Sequence, residues 1–567
     1  MIQQHLRKTL FLIYYLILII AAPVLSQESK RPNVLLILSD DQGYGDFGFT
    51  GNEIIQTPNL DRFANENTFF DQFYVNPVCT PSRAALMTGR YPQRTTAQWV
   101  GAMIPNHEVT IAEALKDAGY RTAIYGKWHI GHHYPMRPID QGFDDAIIHN
   151  RGILTPPAGP PGNTYHDPML MHNGIWKKFK GYCNDIYTDK AIDFMKLSKE
   201  SSNPFFIYLA TNLPHGPLQI DKKYWKQYAD QGINENTARV YGMCTNIDEN
   251  FGRLMSALKH LNIDGNTIVI YLSDNGPAFL NEDYYMAGLR GKKDYVYEGG
   301  IRTPCLWKWP EKIKTKQRID RIAAHIDIMP TLLDACGVQI PPKVKLDGIS
   351  LMPLLSGNIS SQEWPDRYLF CQGYPTSAKP QINKCFMVRN QQYKLVQQEG
   401  LRDHTMSENL FVYELFNMKR SLSEKENIAK QYPAIVKKMK IAYQNWYHDV
   451  GKNNDYSWPR FFIGSELENP MYLYQYAGVW PNAEVIKSGK YDITAFIPDR
   501  IPQTDMIGHV IFGNTHTTLS VKAGSKSYKF ENIYLEKGSG VLKIHLNQGG
   551  KLDLWPQGVK IEYLIDN

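Results

Sequence analysis

Three short and almost wholly apolar runs constrain most strongly what this chain can fold into. They span Asn33 to Ser39, Pro204 to Ala210 and Thr267 to Ser273. Apolar runs of this length predict strands that are buried on both faces. Helical patterns, such as Ile111 to Ala118 and Ala238 to Leu261, lie between the runs. The alternation predicts an α/β fold with a mostly parallel central sheet flanked by helices.

Polar residues follow each of the three predicted strands. Asp40 and Asp41 follow the first, and His215 lies a few residues beyond the second. Asp274 and Asn275 follow the third. Ligands of open α/β sheets bind beyond the carboxyl ends of the strands. We therefore expect the functional site where these acidic and histidine-bearing loops meet.

The pattern of polar and apolar residues changes twice towards the end of the sequence. From about Trp364, short alternating segments precede an amphipathic helix at Pro433 to Tyr447, which predicts a small antiparallel sheet with a C-terminal helix. After a linker that begins near Gly451, alternating segments between Gly and Asn turns predict an all-β sandwich-like module. The predicted division is a signal peptide over residues 1–26, an α/β domain over 32–360, an antiparallel-sheet subdomain over 361–450 and a C-terminal module over 455–567.

The first 26 residues are typical of a targeting segment. Arg7 and Lys8 precede an apolar run from Thr9 to Leu25, and residues that a signal peptidase accepts lie just before Gln27. We expect cleavage there and export to the periplasm or the medium, with no membrane association after the signal is removed. The alternative is a membrane anchor, for which the run is only marginally long enough.

Composition excludes some classes of partner. The 567 residues carry a net charge of +6, and no basic run indicates nucleic acid. The 35 Tyr and 11 Trp suit surfaces that stack against sugars, and they suit core packing equally well. Besides Cys79 there are six cysteines, whose spacing matches no zinc motif. Cys371 and Cys385 are left open as either a disulfide or two buried thiols.

The stretch from Cys79 to Arg90 carries the most specific signal. It reads Cys-Thr-Pro-Ser-Arg-Ala-Ala-Leu-Met-Thr-Gly-Arg and resembles the signature of type I sulfatases, Cys-x-Pro-Ser-Arg, within the alkaline phosphatase superfamily. In that family a dedicated maturation enzyme oxidises the cysteine to formylglycine (3-oxoalanine). The resemblance extends over roughly Pro32 to Val450. Its five further motifs are Asp40-Asp-Gln-Gly-Tyr-Gly-Asp, Gly126-Lys-Trp-His-Ile-Gly, Pro214-His-Gly-Pro, Ser273-Asp-Asn-Gly, and Leu289-Arg-Gly-Lys-Lys through Glu298-Gly-Gly-Ile-Arg-Thr-Pro.

The resemblance implies a bound metal ion. Its ligands would be Asp40, Asp41, Asp274, Asn275 and an oxygen of the residue formed from Cys79. Hard oxygen ligands suit Ca²⁺, which takes about six to eight of them, and Mg²⁺ is the alternative. No histidine or thiolate pair with transition-metal spacing accompanies these residues. The ion is expected to hold the sulfate oxygens and to stabilise the charge that grows on them.

The resemblance also implies how the catalytic residues act. Hydrated formylglycine carries two hydroxyls, of which one attacks sulfur and expels the alcohol. The second loses its proton, to His129, and thereby ejects sulfate, which a simple serine is unable to do. Arg83 and Lys127 are the expected cationic contacts of the nucleophile and the sulfate.

The leaving oxygen needs a proton, and His215 and Lys293 are the candidate donors. Lys293 is chosen over Lys292 because it lies five residues before Glu298, as the family lysine does. His132 and His133 are interpreted as an exposed loop pair, with contact to substrate as the alternative. The segments Gln98 to Pro105 and Arg151 to Gly174 are expected to shape the rim of the pocket.

We therefore predict hydrolysis of sulfate monoesters on a poly- or oligosaccharide, as in the secreted polysaccharide sulfatases of bacteria. The expected partners are a sulfated carbohydrate and the enzyme that installs formylglycine. One alternative is a phosphomonoester or phosphodiester hydrolase of the same superfamily. Another is a catalytically silent sugar-binding protein, which would hold if Cys79 were never oxidised.

Overall fold

The computed structural model describes residues 31–149, 151–342, 344–373, 381–399, 410–452, 454–474, 478–497, 503–548 and 553–565. The predicted signal peptide over residues 1–26 lies outside this part of the chain. Among the described residues, no helix is both long enough and apolar enough to span a membrane. All seven cysteines are buried free thiols.

A large central sheet organises the first two thirds of the molecule. Its strands are β1 (Asn33–Asp40), β2 (Thr68–Tyr74), β3 (Arg121–Lys127), β4 (Asp145–His149), β5 (Met169–His172), β6 (Ile175–Lys178), β7 (Phe205–Pro214), β8 (Thr267–Ser273), β9 (Arg302–Lys308), β10 (Arg318–Ile319) and β11 (Ala323–Ala324). Their spatial order is β10-β2-β9-β8-β1-β7-β3-β4-β5-β6, with β11 beside β2. Strands β8, β1, β7, β3 and β4 are parallel, and antiparallel strands extend both sides.

Helices contribute to the cores on both faces of this sheet. The α-helices among the described residues are α1 (Pro58–Glu66), α2 (Cys79–Thr88), α3 (Ile111–Asp117), α4 (Cys183–Glu200), α5 (Lys222–Ala229), α6 (Glu235–His260), α7 (Glu298–Ile301), α8 (Ile328–Ala335), α9 (Met352–Leu355) and α10 (Pro433–Val450). Leu36 and Leu38 of β1 share one core with α2, α3 and α8. Leu35 and Ile37 share the other with α1, α4 and α6. Burial on both faces explains why β1 is continuously apolar.

A smaller antiparallel sheet follows. It contains β12 (Leu369–Gln372), β13 (Phe386–Arg389), β14 (Tyr393–Gln397) and β15 (Glu414–Asn417), in that order. Helix α10 packs on it through a core that includes Met439, Tyr443 and Phe386. The rings of Phe386 and Tyr443 are stacked with their centroids 3.7 Å apart.

The C-terminal module consists of two sheets that share one core. The first contains β16 (Phe461–Ile463), β18 (Val479–Val485), β20 (Met506–Phe512), β21 (Thr515–Val521), β23 (Gly538–Asn547) and β24 (Asp553–Leu554). The second contains β17 (Met471–Tyr474), β19 (Gly489–Phe496), β22 (Ser527–Leu535) and β25 (Gly558–Tyr563).

The predicted fold class is confirmed in its three parts: the mostly parallel sheet with helices, the antiparallel sheet with a C-terminal helix, and the strand-rich C-terminal module. The strands that open the C-terminal module, β16 and β17, are only three and four residues long, too short to give a clear alternation of polar and apolar residues in the sequence.

Candidate active site

The acidic residues meet because β1 and β8 are parallel neighbours in register. Ser39 pairs with Ser273, so the residues that follow each strand lie side by side. The amide N–H of Asp41 donates to Asp274 Oδ1 at 3.1 Å. Asp41 has a φ of 63°, a left-handed conformation that costs about 1–2 kcal/mol outside glycine. Such conformations persist where the surrounding structure enforces them, often at functional sites.

The oxygens at these strand ends fit a hard cation. Asp40 Oδ1 and Asn275 Oδ1 are buried and accept no hydrogen bond from the described residues. The amide of Asn275 donates to Asp41 Oδ1 at 2.7 Å, which fixes its orientation. Ligand atoms of Asp40, Asp41 and His215 lie within 4.8 Å of one another. Buried acceptors without donors require an explanation, and a bound oxygen-preferring ion provides one.

Three cationic side chains face the three carboxylates. Lys127 Nζ donates to Asp40 Oδ2 at 2.7 Å, and Lys293 Nζ donates to Asp41 Oδ1 at 2.6 Å. Arg83 donates to Asp274 Oδ2 through Nη2 at 2.7 Å and through Nε at 3.0 Å.

Burial and neighbouring charges shift the pKa values of these carboxyl groups in opposite directions. Burial would raise the pKa of Asp40, but the charges of Lys127 and its other cationic neighbours lower it well below the usual range. Burial and the charge of Asp40 raise the pKa of Asp274 to about 7. The protonation state of each carboxyl group in this cluster therefore depends on the charges of its neighbours.

Cys79 is the first residue of α2, and the turn before it is held by the serine of its motif. The Ser82 hydroxyl accepts from the Asn76 amide at 3.0 Å and donates to the Asn76 carbonyl at 3.1 Å. Cys79 Sγ lies 3.3 Å from His129 Nδ1, and Thr80 Oγ1 lies 3.3 Å from the same nitrogen. Burial raises the pKa of the Cys79 thiol and lowers that of His129. An unmodified cysteine here is thus a neutral thiol, not an activated thiolate.

A glycine allows the end of β3, with Lys127 and the nearby His129, to approach Cys79. A Cβ on Gly126 would lie 1.9 Å from the carbonyl oxygen of Ala210 on β7, and its φ of 115° also favours glycine. The Lys127 carbonyl accepts from Arg83 Nη1 at 2.7 Å, which ties the end of β3 to α2.

Both loops that were predicted to form the rim contact predicted site residues or their immediate neighbours. The Gly101 amide donates to Thr80 Oγ1 at 3.1 Å. Tyr165 Oη donates to the carbonyl of His215, and a Cβ on Gly152 would lie 2.8 Å from His129 Nε2. These loops therefore surround the site.

The interpretation of His132 and His133 as an exposed pair is wrong. Their exposed fractions are 7% and 8%, and His133 Nδ1 lies 3.3 Å from Glu468 Oε1 of the C-terminal module. A partner so distant along the chain leaves no local signal in the sequence.

The structure brings the predicted site residues together at one edge of the central sheet. They are Asp40, Asp41, Cys79, Arg83, Lys127, His129, His215, Asp274, Asn275 and Lys293. Their individual roles stay predictions. The sequence interpretation missed Thr80 and Tyr165, although the hydroxyl at Thr80, beside the motif cysteine, was a usable signal.

Comparison with known families decides what kind of enzyme this site belongs to. Residues 32–338 match the family model described as Sulfatase, and residues 290–447 match the model described as N-sulphoglucosamine sulphohydrolase, C-terminal. This chain belongs to the sulfatase family. It is a type I sulfatase, as its motifs predicted, and thus a sulfuric ester hydrolase.

Several sulfatases resemble it over much of their length. Porcine N-acetylgalactosamine-6-sulfatase is 33% identical over 381 residues, which cover 62% of this chain and 71% of that protein. Human arylsulfatase A is 33% identical over 405 residues, covering 65% and 75%. Among solved structures, Ps i-CgsB in complex with k-i-k-neocarrahexaose has a TM-score of 0.65 and 28% identity, covering 76% of this chain and 95% of that one. Together the two family models reach residue 447, before the C-terminal module of this sulfatase.

Proposed function

We propose that this sulfatase is an exported enzyme that hydrolyses sulfate monoesters on a carbohydrate, with formylglycine at position 79 and Ca²⁺ at the ends of β1 and β8. The observation that carries the proposal is the position of Cys79. Its sulfur lies 3.3 Å from His129 Nδ1, beside the cluster formed by Arg83, Lys127 and Lys293.

The carbohydrate substrate is supported by the relatives. One is an N-acetylgalactosamine-6-sulfatase at 33% identity, and another, at 28% identity, was solved with a neocarrahexaose. Both names refer to sugars, which supports a sugar as the leaving group here.

Formylglycine would supply a carbon with two hydroxyls, one to attack sulfur and one to release the bound sulfate. The chain's own groups are arranged for both steps. His129 Nδ1 is within hydrogen-bonding reach of the side chain at position 79, so it is placed to take a proton from it. Thr80 and the Gly101 amide hold this pair in place.

A calcium ion would supply positive charge to the sulfate oxygens. Asp40, Asp41, Asp274 and Asn275 would hold it. Because Arg83, Lys127 and Lys293 already match the three carboxylates, a divalent cation would leave the pocket net positive, which suits an anionic substrate.

His215 and Lys293 are proposed to protonate the leaving oxygen. Both approach Asp41 from the same region: His215 Nε2 lies 3.6 Å from Asp41 Oδ2, and Lys293 Nζ lies 2.8 Å from it. Tyr165 fixes the backbone of His215 by donating to its carbonyl at 3.0 Å.

The test uses the full chain produced in a host with the maturation enzyme. Mass spectrometry of the peptide that contains Cys79 should find formylglycine. With calcium present, 4-nitrophenyl sulfate should be cleaved faster than 4-nitrophenyl phosphate, and a panel of sulfated oligosaccharides should include at least one substrate.

The matched control is Cys79→Ala, which should fold and release no sulfate. Faster cleavage of the phosphate would indicate the alternative hydrolase. An unmodified Cys79 peptide from a competent host, together with sugar binding but no turnover, would indicate a silent binding protein.

A further inference from the structure

The C-terminal module packs directly on the loop that follows β3. The amide of Tyr134 donates to Glu468 Oε2 at 2.7 Å, and His133 Nδ1 lies 3.3 Å from the other oxygen of that carboxylate. Arg137 Nη1 donates to the carbonyl of Leu467 at 2.8 Å. Because this loop also carries His129, the module supports the candidate active site and is not a detached appendage.

A second contact joins the module to the rim of the pocket. Arg151 Nη1 donates to the carbonyl of Tyr474, at the end of β17, at 2.5 Å. The Tyr474 ring packs edge-on against Trp176, with centroids 5.7 Å apart. The module therefore holds one end of the Arg151 guanidinium in a fixed place.

The other end of that guanidinium lies beside Gly101. Arg151 Nη2 is 3.9 Å from where a Cβ on Gly101 would be, and the Gly101 amide donates to Thr80, the residue next to Cys79. Gly152, the next residue, lies against the ring of His129. Burial is the main cause of the lowered pKa of His129 and His132, and the charge of Arg151 lowers both further.

Arg151 is a cation in addition to the three that match the carboxylates. Its side chain is half-buried, so it is partly shielded and still borders solvent. Arginine presents a planar fork of donors that suits carboxylates and sulfate-like oxyanions, and anchoring reduces the entropy lost when it binds one.

We infer that Arg151, positioned by the C-terminal module, binds a second anionic group on the same carbohydrate that carries the scissile sulfate. The group is a carboxylate or a further sulfate. This inference rests on the proposed function and narrows its substrate class to sugars with at least two negative charges.

The test compares four probes: 4-nitrophenyl sulfate, a disaccharide whose only charged group is one sulfate, the same disaccharide with a second sulfate, and its analogue with one sulfate and a uronic carboxylate. In Arg151→Gln, kcat/KM for the preferred doubly charged probe should fall about tenfold or more relative to the singly charged disaccharide, mainly through KM. For Arg151→Lys, kcat/KM for that probe should lie between the values of the parent enzyme and Arg151→Gln. The doubly charged probe whose kcat/KM falls more identifies the anion that Arg151 binds.

Arg137→Gln is the matched control. It removes another arginine that donates to a carbonyl of the module, and the Nε of this arginine lies 2.8 Å from Asp140 Oδ2. Arg137→Gln should change kcat/KM for all four probes by the same factor, since it affects how the C-terminal module docks and not the charge of the pocket. Equal losses on all probes in Arg151→Gln, or a wild-type enzyme indifferent to the second charge, would overturn the inference.

Binding separates this inference from the proposed function. Calorimetry with the Cys79→Ala protein measures the affinities of the same disaccharides without turnover. If the parent enzyme cleaves no probe, the proposed function fails. Arg151 is still tested, because the preference for the doubly charged sugar must then disappear in the Cys79→Ala, Arg151→Gln double variant.

Discussion

Lys293 Nζ lies 2.6 Å from one oxygen of Asp41 and 2.8 Å from the other, so a single ammonium bridges the whole carboxylate. The neighbouring Lys292 has a partly exposed side chain, and its carbonyl accepts from the Tyr295 amide in the turn. The contact with Asp41 therefore distinguishes two adjacent lysines that the sequence separates only by register.

Because only Lys293 is placed at Asp41 by this contact, Lys293→Ala and Lys292→Ala form a matched pair of test and control variants. Lys293→Ala should lower kcat/KM for a sulfate ester by about a hundredfold or more, because it removes a candidate proton donor and a partner of Asp41. Lys292→Ala should stay near the parent value. Steady-state kinetics of both variants checks this, and the reverse order of losses would show that the assigned register is wrong.

Calcium should stabilise the folded protein independently of activity. After chelation, adding Ca²⁺ at about a hundred times its dissociation constant should raise the free energy of unfolding by about 2.7 kcal/mol. Differential scanning calorimetry would record this as a higher melting temperature, with a smaller response to Mg²⁺.

Two variants locate the ion. Asp40→Asn should lose most of the calcium response. Asp327→Asn, which alters a buried acid paired with Arg367, should melt at a lower temperature and keep the response. A response that survives in Asp40→Asn would place the ion elsewhere.

Thr80 should support catalysis through His129. Thr80→Val removes the hydroxyl that contacts His129 Nδ1 and the Gly101 amide, and we expect kcat to fall about tenfold. Thr88→Val is the control, because its hydroxyl donates only within α2, to the Ala84 carbonyl at 2.7 Å. Single-turnover kinetics would compare them, and equal rates in the two variants would contradict this role.

His325 should make stability depend on pH. Burial lowers the pKa of this histidine from 6.5 to about 3. Between these values the unfolded chain binds a proton that the folded chain excludes, so the stabilisation is complete above pH 6.5 and is lost as the pH falls towards 3. Urea unfolding from pH 4 to 7 should therefore show a shallower slope in His325→Gln than in the parent, and parallel slopes would exclude this contribution.

The sequence predicted well those features that depend on neighbours along the chain. The apolar run that becomes β1 is buried on both faces, and the acids after β1 and β8 meet because parallel strands end at the same edge of the sheet. The motif around Cys79 could be recognised because its residues are contiguous, and α2 preserves their order.

The contacts that the sequence did not predict join segments hundreds of residues apart. Glu468 holds the loop at His133, and the Tyr474 carbonyl holds Arg151, across 335 and 323 residues of chain respectively. Neither pairing follows from periodicity or spacing, because each depends on how the C-terminal module docks. The burial of His133, whose ring also packs against Phe461, follows from the same docking.

All ten residues of α2 are buried, and Cys79 exposes only 2% of its surface. The proposed maturation enzyme would have to surround the side chain that it oxidises, which is impossible while this helix lies inside the folded core. Under the proposed function the thiol would therefore be converted before the chain folds, and a molecule that folds first would keep its thiol. The active fraction of a preparation would then depend on whether oxidation precedes folding, and adding the maturation enzyme to the folded protein would leave that fraction unchanged.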